Sequence, residues 1–198
     1  MKFLNIKAII FSMVLLHQSL FALQEEQLQS FMNNKINQAT QILQDKSLDI
    51  QIKEDQIFSM FDSVFDYVLM AKLSLGKQWN ALTQEQQTIF STSFENRLKE
   101  AYIDKLHLYN NQKIKIEPFV KSNPSRIELP MYILGEEENF EVIYKFYKNK
   151  QNEWFIYDVN ILGVSIIQTY RNQFVGVLQK ESFESLIDKL KRVEVAQK

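Results

Sequence analysis

Residues 154–161, WFIYDVNI, place large apolar side chains at both parities of one short stretch. Successive side chains of a β-strand point to opposite faces, so Trp154, Ile156 and Asp158 fall on one face and Phe155, Tyr157 and Val159 on the other. A sheet that sealed a single core would alternate apolar with polar residues. This strand needs cover on both sides, from helices on both or from helices on one and a bound apolar molecule on the other. Choosing between those two arrangements is most of the functional question.

Helical periodicity elsewhere supplies candidates for the cover. After Gln24, the residues Leu28, Phe31, Met32, Ile36, Ala39, Ile42 and Leu43 recur on one stripe. A second helix is predicted from about Lys53 through Phe61, and a third from Tyr67 to Leu75, where Gly76 stops it. Thr83 and Gln86 form a capping box at the head of a fourth, whose stripe takes in Ile89, Phe90, Phe94, Leu98, Ala101 and Tyr102.

Past Leu106 the period changes to two. Ile114 and Ile116, then Ile127 and Leu129, then Val142, Tyr144 and Phe146 alternate with charged neighbours, which predicts strands. Pro130 predicts an edge position or a bulge, and residues 135–139 and 149–153 are polar enough for hairpin loops. The strand quoted above ends near Ile161, and Gly163 allows a sharp turn. Val164, Ile167, Tyr170, Phe174 and Val177 then resume a helical stripe, and a last amphipathic helix carries Phe183, Leu186, Ile187 and Leu190. Helices, an antiparallel sheet and helices again make an α+β fold, with no internal repeat or linker.

The first residues, MKFLNIKAIIFSMVLLHQSLFALQ, set Lys2 and Lys7 before an apolar run and close on Ala22, the layout of a secretory signal peptide over residues 1–22. Residues 23–198 then form a single domain. Taking Lys2 and Lys7 from the 23 basic residues leaves 21 against 24 acidic ones, so nucleic acid is not an expected partner. An exported chain with no Cys relies on packing alone, which suits a bacterial periplasm. Fifteen Phe and eight Tyr against four Gly and three Pro supply rings for a core or for a pocket wall.

Catalytic and metal chemistry finds little to work with. His107 is the single histidine after the signal segment and follows a helix end, where a capping or surface role suffices. Without Cys, a Cys- or His-rich metal site cannot be assembled, and no spacing of the four glycines cradles a phosphate. No cofactor or metal is expected. Asp158, a carboxylate in an apolar stretch, is a candidate general base or, as an Asp late in a strand, a group hydrogen-bonded to a neighbouring loop or helix N-terminus.

Two stretches resemble the MlaC family of periplasmic phospholipid carriers, also described as toluene-tolerance auxiliary substrate-binding proteins. In the first, Phe65-Asp66, Met70-Ala71, Leu75-Gly76, Trp79 and Thr83 with Glu85-Gln86 occur in the family's order. In the second, Trp154, Tyr157-Asp158-Val159, Gly163-Val164-Ser165 and Tyr170-Arg171 followed by Phe174 look like the family's strand-to-helix passage. Asn160-Ile161-Leu162 departs from it, since the family often has an acidic residue there.

The resemblance implies a twisted antiparallel sheet packed with N-terminal and C-terminal helices, with an apolar pocket for acyl chains between sheet and helices. It implies a soluble, monomeric shuttle carrying phospholipid between an outer-membrane MlaA-type lipoprotein and an inner-membrane ABC transporter with an MlaD-type ring, which maintains outer-membrane lipid asymmetry. Large apolar residues of the matching segments are the expected lining. From the helices these are Phe65, Met70, Leu73, Trp79, Phe94 and Leu98; from the strands, Tyr144, Phe146, Phe155 and Tyr157; from the last passage, Val164, Ile167, Tyr170 and Phe174. Arg171 is the candidate headgroup contact, or else a structural ion-pair partner of Asp158 or Asp66. The rival readings are a pocketed α+β enzyme acting on an apolar small molecule through Asp158, and an interaction module whose aromatics are all core.

Overall fold

The computed structural model describes residues 25–107, 109, 111–136 and 138–192, and within these it leaves out the side chains of residues 26 and 102–107. The expected signal segment and the imidazole of His107 therefore lie outside the described residues. The helices are α1 (Glu25–Gln44), α2 (Ile50–Asp62), α3 (Tyr67–Leu75), α4 (Gln84–His107), α5 (Ile166–Leu178) and α6 (Phe183–Lys191). The strands are β1 (Lys113–Ile116), β2 (Val120–Asn123), β3 (Arg126–Leu134), β4 (Asn139–Lys148), β5 (Trp154–Ile161) and β6 (Val164–Ser165). A 3-10 turn, Gly76–Ala81, joins α3 to α4.

Local chemistry sets the element boundaries. The Thr83 N–H donates to Gln86 Oε1 at 3.0 Å and the Gln86 N–H donates back to Thr83 Oγ1 at 3.2 Å, so the capping box starts α4. Ser165 caps α5 by accepting from the Gln168 N–H at 3.0 Å. The β5–β6 hairpin turns on two residues with positive φ, Leu162 at 50° and Gly163 at 80°, the geometry that matches the twist of the flanking strands. Val164 therefore belongs to β6, and the helical stripe begins only after it.

The sheet is antiparallel, in the order β1-β3-β4-β5-β6, with β2 also paired to β3. β3 is an interior strand, contrary to the edge position that Pro130 predicts. β1 pairs with residues 131–134 and β2 with 126–128 of β3, so Pro130 stands opposite the gap between them. Its carbonyl accepts from the Glu117 N–H at 2.9 Å. The absent N–H thus faces a break in the ladder and forfeits no bond.

A bulge changes the faces of β5. Lys145 pairs with Asp158 and Phe146 with Ile156, which leaves Tyr157 as the extra residue. Beyond it the parity reverses, so Val159 joins Trp154 and Ile156 on one face and Asp158 joins Phe155 on the other. The simple alternation expected for this strand holds only as far as Tyr157.

Two apolar cores form. The first lies under α1, where Leu28, Met32 and Ile36 meet Ile127, Leu129, Phe146 and Ile156 on one face of the sheet. The second is helical, built where α3, α4, α5 and α6 meet around Phe90, Phe94, Phe174 and Leu186. Ile89, expected on the buried stripe of α4, is instead 40% exposed. Phe65 and Ile166 pack against both cores, because the chain enters α3 and α5 from the same free edge of β5. Around Phe65, the Asp66 N–H donates to the Ile156 carbonyl at 2.9 Å and the Ile156 N–H to the Val64 carbonyl at 2.8 Å.

Candidate functional site

The sheet face under α1 is sealed at one end and open at the other. Ile127, Leu129, Phe146 and Ile156 have no exposed surface, Ile133 and Ile161 at the far ends of β3 and β5 are partly buried, and Phe140 at the start of β4 is 40% exposed. α1 shows the same trend: Leu28, Met32 and Ile36 are buried, whereas Ala39, Ile42 and Leu43 in its last two turns are only partly so. Gln44 donates to the Tyr109 hydroxyl at 3.2 Å, which donates to the Gln112 carbonyl at 3.1 Å. These bonds tie the end of α1 beside the start of β1, at the open end of the face.

Tyr144 departs from this gradient. It lies farther in than Val142, which is 9% exposed, yet keeps accessible surface of its own. Its strand partners, Leu129 and Val159, are 0% and 2% exposed. Burial alone pushes its phenol up to about 12. Tyr144 thus keeps a partly accessible side chain between sealed strand neighbours.

Two clefts flank α2 on the outside. One, about 630 Å³, opens between α1 and α2 at Ile42, Asp55, Gln56, Ser59 and Met60. The other, about 220 Å³, lies between α2 and α4 at Glu54, Phe58, Asn96, Lys99 and Glu100 among others. Both mix polar with apolar side chains in their lining.

The structure distributes the residues expected to line a pocket over several places. Tyr144 and Phe146 share the face under α1, with Phe65 at its β5 edge. Phe155 and Tyr157 lie on the opposite face, within 6.2 Å and 6.1 Å of the Tyr147 ring, with the Arg126 guanidinium over Tyr147 and Tyr157. One face of β5 therefore packs into the core under α1, and the other carries an aromatic ladder topped by Arg126, with Asp158 at the N-terminus of α5. Met70, Trp79, Phe94, Leu98, Ile167 and Phe174 are buried in the helical core, with Leu73 and Tyr170 packed against it. Val164 is 59% exposed on β6.

Arg171 performs a structural task. Its Nε donates to the Leu73 carbonyl at 2.8 Å, and Nη2 donates to the same oxygen. It closes the C-terminus of α3, and among the described residues no ion pair joins it to Asp158 or Asp66. Gly76 caps α3 with φ 57°, and a Cβ there would stand 3.7 Å from Arg171 Nε. Asp66 caps the other end of α3, accepting from the Leu69 N–H at 2.8 Å and from the Tyr147 hydroxyl. Burial, and then this bond to Asp66, hold the Tyr147 phenol well above its ordinary pKa.

Asp158 is likewise committed. Its carboxylate accepts from the Ser165 hydroxyl at 2.7 Å, from the Val159 N–H at 2.9 Å and from the Ile167 N–H at 3.2 Å, with Lys145 Nζ 3.9 Å away. It fixes the N-terminus of α5 against β5. Asp158→Ala is expected to lower stability by about 2–4 kcal/mol by orphaning buried donors, and Asp158→Asn by less, since its amide oxygen still accepts. Urea unfolding of both variants checks this ranking.

The family profile described as MlaC protein matches residues 33–192. The chain belongs to the MlaC family. It is 29% identical over 122 residues to the intermembrane phospholipid transport system binding protein MlaC of Haemophilus influenzae, a match covering 60% of this chain and 57% of that protein. It is 28% identical over 98 residues to toluene tolerance protein ttg2D of Pseudomonas putida, covering 50% of this chain and 46% of that one. These matches span about half the length of both relatives. A phospholipid-binding protein from Ralstonia solanacearum, solved in complex with a phospholipid, superposes with a TM-score of 0.71 at 24% identity, over 82% of this chain and 93% of that one. The two proteins thus share one fold across nearly the whole described region. The MlaC-like motifs mostly mark its joints: Asp66, Gly76, Asp158, Ser165 and Arg171 tie α3 and α5 to the sheet and to each other.

At the open end of this face sequence reasoning named Val164 but missed Ile114, Ile133, Ile161 and Ile166, which pack against the core, and the exposed Phe140 and Leu162. One signal was present. A two-residue turn with positive φ favours Asn-Gly, and an exposed Leu162 at its first position serves neither the turn nor the core.

Proposed function

We propose that this chain is a periplasmic phospholipid-binding shuttle, which holds acyl chains in a hollow that opens between α1 and the sheet, with the headgroup toward Phe140 and the β5–β6 turn. The observation that carries this reading is Tyr144, accessible at a depth where its strand neighbours are sealed. Membership of the MlaC family and the phospholipid named in its relatives' descriptions support it. Each buried CH₂ contributes about 0.8 kcal/mol, so a tail of about 16 carbons disfavours water by on the order of 10 kcal/mol. A carrier crossing an aqueous gap must keep that tail dry and give it up only when docked. The expected docking partners are an MlaA-type lipoprotein at the outer membrane and an MlaD-type ring of an inner-membrane ABC transporter. Asp158, the only candidate base in the enzyme reading, is occupied in capping α5.

Protein purified without detergent and extracted with organic solvent is expected to release glycerophospholipid at about one molecule per chain, measured by mass spectrometry. Lipid-free protein that also takes up none from vesicles would refute the shuttle.

A further inference from the structure

The β5–β6 turn combines backbone strain with apolar exposure. Leu162 takes φ 50° and is 57% exposed, so neither the turn nor the core calls for a leucine there. Asn or Gly adopts this conformation with less strain, and water solvates either one better. A residue that costs the free protein on both counts points to contact with something else. It also has company. The Leu162 N–H donates to the Glu141 carbonyl at 3.0 Å, which sets the turn beside Phe140, while Val164 pairs with Ile161 and Ile161 with Val142. Phe140 is 40% exposed and Val164 59%. Three large apolar side chains thus stand out together at one end of the sheet, whereas single exposed apolar residues are ordinary.

We propose that Phe140, Leu162 and Val164 form a docking knob that seats this chain on a protein partner, in an apolar depression flanked by lysine or arginine side chains. This rests on the carrier reading above. Charge selects a protein over a bilayer. The β3–β4 turn abuts the knob: the Gly135 N–H donates to the Glu138 carbonyl at 3.1 Å, and a Cβ on Gly135 would stand 3.8 Å from the Phe140 ring. That turn exposes Glu136 and Glu138. From Val159 to Tyr170 the sequence carries no charged residue. On the opposite face of the sheet, the Glu141 carboxylate accepts from the Tyr132 hydroxyl at 2.9 Å and Lys113 pairs with Leu134. At the end of α1, Asp45 offsets Lys46. The surroundings of the knob are therefore net acidic, which repels an anionic membrane and complements a basic rim on a protein.

The probes are the two docking partners expected above, an MlaD-type ring and an MlaA-type lipoprotein from the same organism, and vesicles of phosphatidylglycerol. The unaltered protein is expected to bind at least one of the two partners and not to co-sediment with the vesicles. Leu162→Asn should weaken partner binding about tenfold or more, the share of one buried leucine, with a melting temperature equal to or above that of the unaltered protein. Glu136→Lys combined with Glu138→Lys should weaken it at low salt and much less at high salt, while the phospholipid extracted per chain stays the same. The knob is overturned by partner binding that either variant leaves unchanged, by a lower melting temperature of Leu162→Asn, by binding to neither partner, or by vesicle co-sedimentation that Leu162→Asn abolishes. Each of these results leaves the carrier standing as long as the unaltered protein yields phospholipid on extraction. An unaltered protein that yields none and takes up none from vesicles removes both readings.

Discussion

Phe94→Ala is expected to destabilise the protein by about 3–5 kcal/mol while leaving the cargo of the folded fraction unchanged. Phe94 has no exposed surface, and its ring lies 5.9 Å from Phe90, 5.1 Å from Tyr170 and 5.9 Å from Phe174. Truncation removes one member of an edge-to-face cluster and leaves a cavity that helices anchored on both sides cannot collapse. A loss of this size is a large share of the stability of a single domain. Urea denaturation gives the energy, and lipid extraction of the remaining folded protein gives the cargo. Parallel loss of lipid at temperatures where the variant is still folded would show that the helical core, and not the face under α1, holds the acyl chains.

The converse variant is Ile161→Glu. Ile161 is partly buried at the open end of β5, with its backbone paired to Val142 and Val164. A carboxylate at this edge can stay hydrated in the empty protein, so stability should change by less than about 1 kcal/mol. With tails in place, the same carboxylate loses its water against hydrocarbon, and affinity for phospholipid should fall by about tenfold or more. Lipid transfer from vesicles, measured beside a thermal melt, separates the two effects. Normal uptake by a folded Ile161→Glu protein would place the cargo elsewhere.

These opposite expectations correspond to what could and could not be read before the fold was known. The period-3.6 stripes located α1, α4, α5 and α6, and the capping box at Thr83 and Gln86 set the start of α4 to within a residue. Such features depend on neighbours one turn apart, and sequence displays them directly. Pro130 misled because its tolerance depends on where two other strands leave a gap. The faces of β5 misled because a bulge depends on the partner strand. Arg171 and Asp158 stood out correctly as polar residues in apolar surroundings, but their partners, the Leu73 carbonyl and the head of α5, are tertiary.

By itself, the sequence determined that this chain is α+β, that its helices are amphipathic, and that β5 must be covered on both faces. It also carried the motifs of the MlaC family. Only the tertiary structure decided that the core under α1 takes one face of that strand, with an aromatic ladder and the head of α5 on the other. It also sent Phe94, Trp79 and Phe174 into the helical core and left Tyr144 partly accessible on the face under α1. The physical reason is that burial of an apolar side chain is equally favourable against protein or against lipid. Hydrophobic pattern therefore says that a residue is covered, and only the arrangement of distant elements says by what.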